Sequence, residues 1–571
     1  LTAIAYRDRR GFVARRLERL AGAVVLLDGW RRAALALVAG AFAVLALPPF
    51  NFPAVAFVSF PLLVWLLDGV GVEPGSRWRS VRSAFACGWF FGFGYFVAGL
   101  WWLGAAMMVD AGSFAVFIPF AVLGLPAVLA LFYGAAAALA RSVWSDSAFR
   151  LFSLAGSLAL AEYLRGIVLT GFPWNEIGLM AAPVPVAMQT LSLVGLHGLT
   201  LMAVLVFAAP AALVDRRGAR PVIAIAVLLA LFHLGFGAWR LAAHPTRFVE
   251  TVDLRVVQPN ILQALKWDAA EAERIFDRHL TLTTTRRPPQ EAGRPAPASA
   301  NVSGAGAKVI DVAAATTERR TLVVWPESSF PFILTQTPEA IARIADALQP
   351  GETLIAGAAR IEGEDLDRDP VYNSVYVIDD QGAILDARDK VHLVPFGEYL
   401  PLQSFLEGLG LRQLTDLPGG FSAGGTRSPV PLAGAPSFLP LVCYEIIFPG
   451  EIAAGEGAER PGFLVNVTND AWYGATPGPY QHLRLAEATA VAFGLPLVRS
   501  ANTGVSVVTD AYGRLVAGLS LNSTGTIEVL LPEAADATIY ARFRYIPFWV
   551  LFAMTCAVAV ASLWTMRARI D

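Results

Sequence analysis

The chain is 571 residues long, 55% hydrophobic and almost neutral, with a formal net charge of -2. A mean hydropathy of +0.53 argues against an ordinary soluble protein, and the charge balance leaves no basic footprint for nucleic acid. Three cysteines (Cys87, Cys443 and Cys556) cannot build a disulfide framework, and six scattered histidines offer no metal-ligand spacing, so neither a metal nor a cofactor is expected.

The chain opens on Leu1 rather than Met, so a start upstream of it is expected. Residues 1–31 form a basic arm carrying Arg7, Arg9, Arg10, Arg15, Arg16, Arg19 and Arg31. Apolar runs follow, each about the 17–25 residues that a bilayer crossing requires. They lie at 32–48, 52–69, 83–105, 115–140, 149–165, 191–214 and 221–240, and together define a seven-span membrane domain over 32–240. The fifth has the shortest apolar core, bracketed by Arg150, Glu162 and Arg165. Small residues in "AGAFAVLA" resemble a signal-peptide cleavage region, but with seven further spans to follow an uncleaved first span is the expectation.

Loop charge tests the count. Alternate loops carry the arginines: Arg77, Arg79 and Arg82, then Arg141 and Arg150, then Arg216, Arg217 and Arg220. The loops between them, "LPPFNFP" and "AAMMVDAGSF", have no basic residue. An eighth apolar run at 546–566 is followed by Arg567 and Arg569, within a final segment 546–571. Under the positive-inside rule, eight spans with both termini cytoplasmic satisfy this alternation; seven would put the basic tail on the wrong side.

Residues 245–545 have a different pattern. "VDLRVVQPN", "TLVVWPE", "TLIAGAAR", "VYNSVYVID", "FLPLVCYE", "FLVNVTND", "LPLVRSANTG" and "VSVVTDAYG" have the composition of strands. "AAEAERIFDRHLTLTTT", "PEAIARIADAL" and "YQHLRLAEATAVAFG" have helical periodicity. The alternation predicts an α/β layered domain, placed outside the cytoplasm by the seven preceding spans. A Pro-, Ala-, Gly- and Ser-rich stretch at about 290–318 is predicted to be a mobile insertion.

Three predicted strand ends carry reactive side chains. "TLVVWPE" ends on Glu327, "DKVHLVPFGEY" contains Lys390 and Glu398, and "PLVCYE" contains Cys443. Strand ends are where open α/β folds gather ligands and catalytic groups. Arginine supplies nearly every cation in this chain, and Lys266, Lys308 and Lys390 are its only lysines. An amine can shift its pKa and move a proton where a guanidinium cannot, which favours a functional Lys390. A thiol with an ordinary pKa of about 8.5 must lose its proton to attack an acyl carbon. A carboxylate can take that proton, and a cation can stabilise the oxyanion that forms. Taken singly, each residue has a plain explanation: cysteine is often core, Glu327 and Glu445 suit solvated loops, and His392 is expected to be structural. The combination is what points to chemistry.

"VVWPES", "KVHLVPFGEYLP" and "LVCYEIIFP" resemble the Glu-Lys-Cys motifs of the nitrilase (carbon–nitrogen hydrolase) superfamily. Together with the membrane region, "VQPNILQALKW" and "GFPWNEIG", they are similar to the bacterial apolipoprotein N-acyltransferase family over most of the chain. The resemblance implies an αββα sandwich on an eight-span base in the inner membrane, with the 245–545 domain periplasmic. It implies acyl transfer from a phospholipid to the α-amine of a diacylglyceryl-modified lipoprotein, through a thioester on Cys443. Glu327 would be the general base, Lys390 the charge stabiliser and Glu398 their support. Tyr444 and Glu445 would flank the nucleophile, and Trp267 would lie near the lipid-binding cavity. Trp174, in the outward "FPW" segment, suits an interfacial or substrate-binding place. No cofactor is implied, and a monomer is expected. The competing functions are a membrane-tethered amidase using the same triad, and a transporter or sensor. The scarcity of ionisable residues within the spans argues against transport.

Overall fold

The computed structural model describes residues 12–70, 77–266, 268, 270–285, 319–366, 368–408, 413–414, 420–452 and 459–567. The insertion predicted at 290–318 and Trp267 lie outside the described residues. The described chain forms two compact units, one from 1–101, 119–239 and 543–571, the other from 102–118 and 240–542.

The first unit is helical. A helix lies at each of the eight apolar runs. Six are long and apolar enough to cross a membrane: Gly29–Ala46, Trp78–Leu100, Ala111–Ser142, Leu191–Val214, Ala219–Ala243 and Ile546–Trp564. Pro53–Asp68 is apolar but shorter, and Arg150–Arg165 has 16 residues. This last helix buries its charges. At one end Arg150 pairs with Asp68 at 2.8 Å and Asp215 at 2.7 Å. At the other, Arg165 pairs with Glu162, which also accepts a hydrogen bond from Tyr133 at 2.7 Å. Ionisable groups persist in so apolar a setting only when paired in this way. Arg165 also donates to the carbonyl of Trp174 at 2.9 Å, tying the loop after the helix back onto it.

The second unit is α/β, with twelve strands: β1 (Phe248–Gln258), β2 (Arg320–Val324), β3 (Glu352–Ile361), β4 (Val371–Ile378), β5 (Ile384–Asp389), β6 (Val430–Leu432), β7 (Ala435–Val442), β8 (Phe463–Thr468), β9 (Leu497–Ala501), β10 (Ser506–Thr509), β11 (Leu515–Leu519) and β12 (Gly525–Pro532). They form two six-stranded mixed sheets, in the orders β12-β1-β2-β3-β4-β5 and β11-β10-β9-β8-β7-β6. Neighbours within β1-β2-β3 and within β7-β8-β9 run parallel, so each sheet has a parallel centre with antiparallel flanks.

The sheets share one core, in which Val256, Val324 and Ile355 of the first meet Val442, Val465 and Val498 of the second. On its other face the first sheet buries Val323, Trp325 and Tyr376 beneath Phe276 and Ile344 of the helices Ala272–Thr284 and Pro338–Ala347. Helix Gly478–Phe493 packs on the second sheet through β9. The central strands, buried on both faces, read as continuous apolar runs and were predictable. β5, β6, β11 and β12 were not. β5 is half-exposed and polar, β6 has three residues, β11 is a partly exposed edge strand paired with β10, and β12 is held by β1, distant in sequence.

One buried charge cluster ties the first sheet together. Arg255 on β1 donates to Glu352 of β3 at 3.0 Å, to Glu528 of β12 at 3.1 Å and to the carbonyl of Thr283 at 3.1 Å. Arg255→Met removes the guanidinium from the buried Glu352 and should cost about 3 kcal/mol. A lowered melting temperature of the solubilised protein, with membrane insertion unchanged, is the expected result.

Candidate active site

The loop after β2 carries Glu327, and its backbone passes unusually close to β3. At Gly357 an added Cβ would lie 2.6 Å from the Cα of Glu327 and 2.7 Å from the carbonyl oxygen of Pro326. Hydrogen bonds from Gly357 N–H to Pro326 and from Ser329 N–H to Gly357 lock that approach. Lys390 follows directly on β5, its N–H bonded to the carbonyl of Asn373 at 2.7 Å. Cys443 follows directly on β7, in the left-handed region at φ +50°, an uncommon and strained place for a residue other than glycine.

Side chains join these elements. The Asn373 amide on β4 donates both to Glu327 Oε1 at 2.8 Å and to Glu398 Oε1 at 3.0 Å. Lys390 Nζ donates to Glu398 Oε1 at 2.9 Å, and the N–H of Val394 to Glu398 Oε2 at 2.8 Å. Lys266 Nζ donates to the backbone carbonyl of Glu327 at 2.7 Å. Glu445 binds the N–H groups of Val391 and His392 through Oε1 (2.8 and 3.1 Å) and that of Val442 through Oε2 (2.8 Å). It thereby fastens the end of β7 to the segment after Lys390. Tyr444 packs edge-on against Phe448, and His392 stacks on Phe448 while bonding Glu451 at 2.8 Å.

The three groups expected to react are nearly inaccessible to solvent: Lys390 is 1% exposed, Cys443 6% and Glu327 7%. Burial raises the Glu327 carboxyl above its ordinary value, with the Lys390 ammonium opposing. For Lys390 burial alone would lower the pKa, but the Glu398 and Glu327 carboxylates hold it higher than usual. Burial, reinforced by the charge of Glu327, raises the Cys443 thiol, while Lys390 acts the other way. Burial brings Lys266 down to about 8. One place in the fold therefore holds a protonated thiol, a carboxyl group with raised proton affinity and a fixed ammonium.

The Carbon-nitrogen hydrolase model matches residues 254–540, and the Apolipoprotein N-acyltransferase N-terminal domain model matches 39–209. An apolipoprotein N-acyltransferase of Brucella melitensis biotype 1 is 50% identical over 538 residues, 93% of this chain and 94% of that protein. Its counterpart in Allorhizobium ampelinum is 48% identical over 558 residues, covering 97% and 100%. The chain belongs to the apolipoprotein N-acyltransferase family.

Within this acyltransferase-family chain the structure brings Glu327, Lys390, Glu398, Cys443, Tyr444 and Glu445 together in the α/β unit. Trp174 is buried in the helical unit, its ring stacked at 6.2 Å on Phe172. Sequence reasoning missed Lys266, Asn373, Asp470 and His482. The scarcity of lysine applied to Lys266 as much as to Lys390, and Asn373 stands out as an amide in an apolar strand. Asp470 and His482 left no comparable mark, because only folding places them behind Cys443. His482 bonds Asp470 at 2.8 Å and the Cys443 carbonyl at 3.2 Å.

Gly357→Ala tests the close approach of backbone to Glu327. Its methyl must push the Glu327 loop away, costing about 1–3 kcal/mol of stability and, through misplacement of the carboxylate, on the order of 10²-fold in turnover. Turnover measured at a temperature where the variant remains folded should show the loss.

Proposed function

We propose that this chain transfers an acyl chain from a phospholipid, through a thioester on Cys443, to the α-amino group of the N-terminal diacylglyceryl-cysteine of lipoproteins. The single observation that carries this reading is the frame in which Asn373 and Glu398 hold Glu327 and Lys390 at the strand ends facing Cys443. The match of residues 39–209 to the acyltransferase family favours it over a membrane-tethered amidase.

In the first step Glu327 takes the thiol proton as the sulfur of Cys443 bonds to the ester carbonyl carbon. The raised proton affinity of a buried carboxylate suits it to this task. The Lys390 ammonium, fixed by Glu398, faces the tetrahedral oxyanion. Collapse breaks the ester bond, and the departing lysophospholipid oxygen takes the proton from Glu327. In the second step the lipoprotein amine attacks the thioester carbon and gives its proton to Glu327. An amide forms, the carbon–sulfur bond breaks, and the thiolate recovers the proton. Glu445 and Tyr444 support the nucleophile, and Trp267 and Trp174 belong to substrate binding. Burial of Cys443 keeps water from the thioester, so aminolysis outpaces hydrolysis.

The arginine alternation and a helix at each of the eight runs support an inner-membrane protein with both termini cytoplasmic and 245–545 periplasmic; the same reading takes it as a monomer. A reporter active only outside the cytoplasm should score positive when inserted within 245–545 and negative when fused after Arg569. A signal at the tail contradicts the eight-span topology.

Phospholipid supplied alone should leave one acyl group on the Cys443 peptide by mass spectrometry, and lipopeptide acceptor should then remove it. Glu327→Gln should abolish that adduct while the protein stays folded. An acyl group that persists after acceptor is added, or forms on another residue, rules the mechanism out.

A further inference from the structure

Lys266 is a buried amine beside the site that the two-step reaction does not use. It is 3% exposed. Among the described residues its side chain makes one hydrogen bond, from Nζ to the backbone carbonyl oxygen of Glu327 at 2.7 Å. Burying an ammonium against a single neutral acceptor is costly, and an apolar side chain of the same length would avoid that cost. Stability therefore does not account for a lysine here, in a chain that has only three. The bond to Glu327 does.

That bond links the strand ends of the two sheets. Lys266 follows the short helical turn Gln263–Leu265 beyond β1, and side chains from the second sheet fasten this turn. Asn502, just past β9, accepts from the N–H of Ile261 at 3.0 Å and donates to the Ile261 carbonyl at 2.8 Å. It also donates at 2.9 Å to Asn469, just past β8, which in turn donates to the side chain of Gln263. From this anchored turn Lys266 reaches the loop after β2, which β3 holds through Gly357. Ser328, the residue after Glu327, has φ +49°. The peptide that Lys266 grips thus leads directly into a left-handed residue, a conformation that persists only where its surroundings over-determine it. Asn373 holds the Glu327 carboxylate; Lys266 holds the backbone behind it.

We propose that Lys266 is a positioning residue: by donating from Nζ to the carbonyl oxygen of Glu327, it fixes the backbone of the base relative to the sheet that carries Cys443. The inference rests on Glu327 and Cys443 acting as base and nucleophile. An amine keeps an N–H to donate whether or not it is protonated, so this role does not need the charge. Burial brings Lys266 down to about 8, with the charges of Glu327 and Cys443 opposing, and His279 also feels its charge. Lys266 is thus a cation below that value and a neutral donor above it.

The test is the single-turnover rate of acyl-enzyme formation with phospholipid alone, measured against phospholipid concentration on both sides of pH 8. Lys266→Met keeps the length of the stem and removes the donor. It should acylate Cys443 more slowly by on the order of 10²-fold at saturation, with an unchanged half-saturating concentration and a cooperative melting transition. The deficit should persist above pH 8, where the parent's amine is neutral. Lys266→Arg keeps a donor on a longer stem and should fall between the two. A Met variant as fast as the parent, or one altered only in half-saturating concentration, would overturn the proposal. So would a deficit that closes above pH 8, which would mean that Lys266 acts through its charge. An Arg variant no faster than Met, or a Met variant that fails to fold, would leave Lys266 a scaffold residue and overturn it as well. If the parent protein forms no adduct on Cys443, it is the nucleophile assignment that fails instead.

Discussion

The hydrogen bonds of the Asn373 amide are the constraint on which the candidate site depends. Its two donor hydrogens go to two different carboxylates, Glu327 and Glu398. Two buried carboxylates side by side repel each other and lose their solvation. A neutral amide between them and one ammonium against Glu398 make the pair tolerable. The arrangement also sorts the two groups. Glu398 is saturated by Lys390, Asn373 and a backbone N–H. Burial leaves Glu327 with the raised proton affinity that a base requires. Like residues take unlike tasks because their neighbours differ.

Backbone geometry complements this electrostatic frame. Cys443 sits where a strand turns abruptly into a short helical turn, at a φ that few side chains tolerate. Glu445, two residues on, bonds back to Val442 and across to Val391 and His392. A single carboxylate therefore sets the distance between the segment that carries the thiol and the segment that carries the amine. Gly357 plays the corresponding part for Glu327, since no side chain would fit between β3 and the loop.

The helical unit solves a separate problem with the same means. Arg150 and Arg165, at opposite ends of one 16-residue helix, would be costly in an apolar environment if left alone. Each is neutralised by acids, Asp68 and Asp215 at one end and Glu162 at the other. The charges that made this run look the least like a membrane span are the ones that the fold pairs internally.

Much of the protein was legible in one dimension. Hydropathy marks the apolar helices because an unpaired backbone in lipid must satisfy itself locally. The eight central strands and three helices of the α/β region follow from their own residue patterns, and the motifs around Glu327, Lys390 and Cys443 single out three strand ends. The half-exposed and short strands were not legible: β5, β6 and β11 are edge strands whose own residues carry little apolar pattern, and β12 pairs with β1 far along the chain. Nor was the supporting cast: Lys266 reaches Glu327 across 61 positions, and His482 reaches Cys443 across 39. The sequence by itself determined which residues bring reactive chemistry, since a thiol, an amine and a carboxylate are properties of side chains. Tertiary structure alone decided how each behaves, because proton affinity, backbone strain and exclusion of water are set by neighbours that only folding brings within a few ångströms.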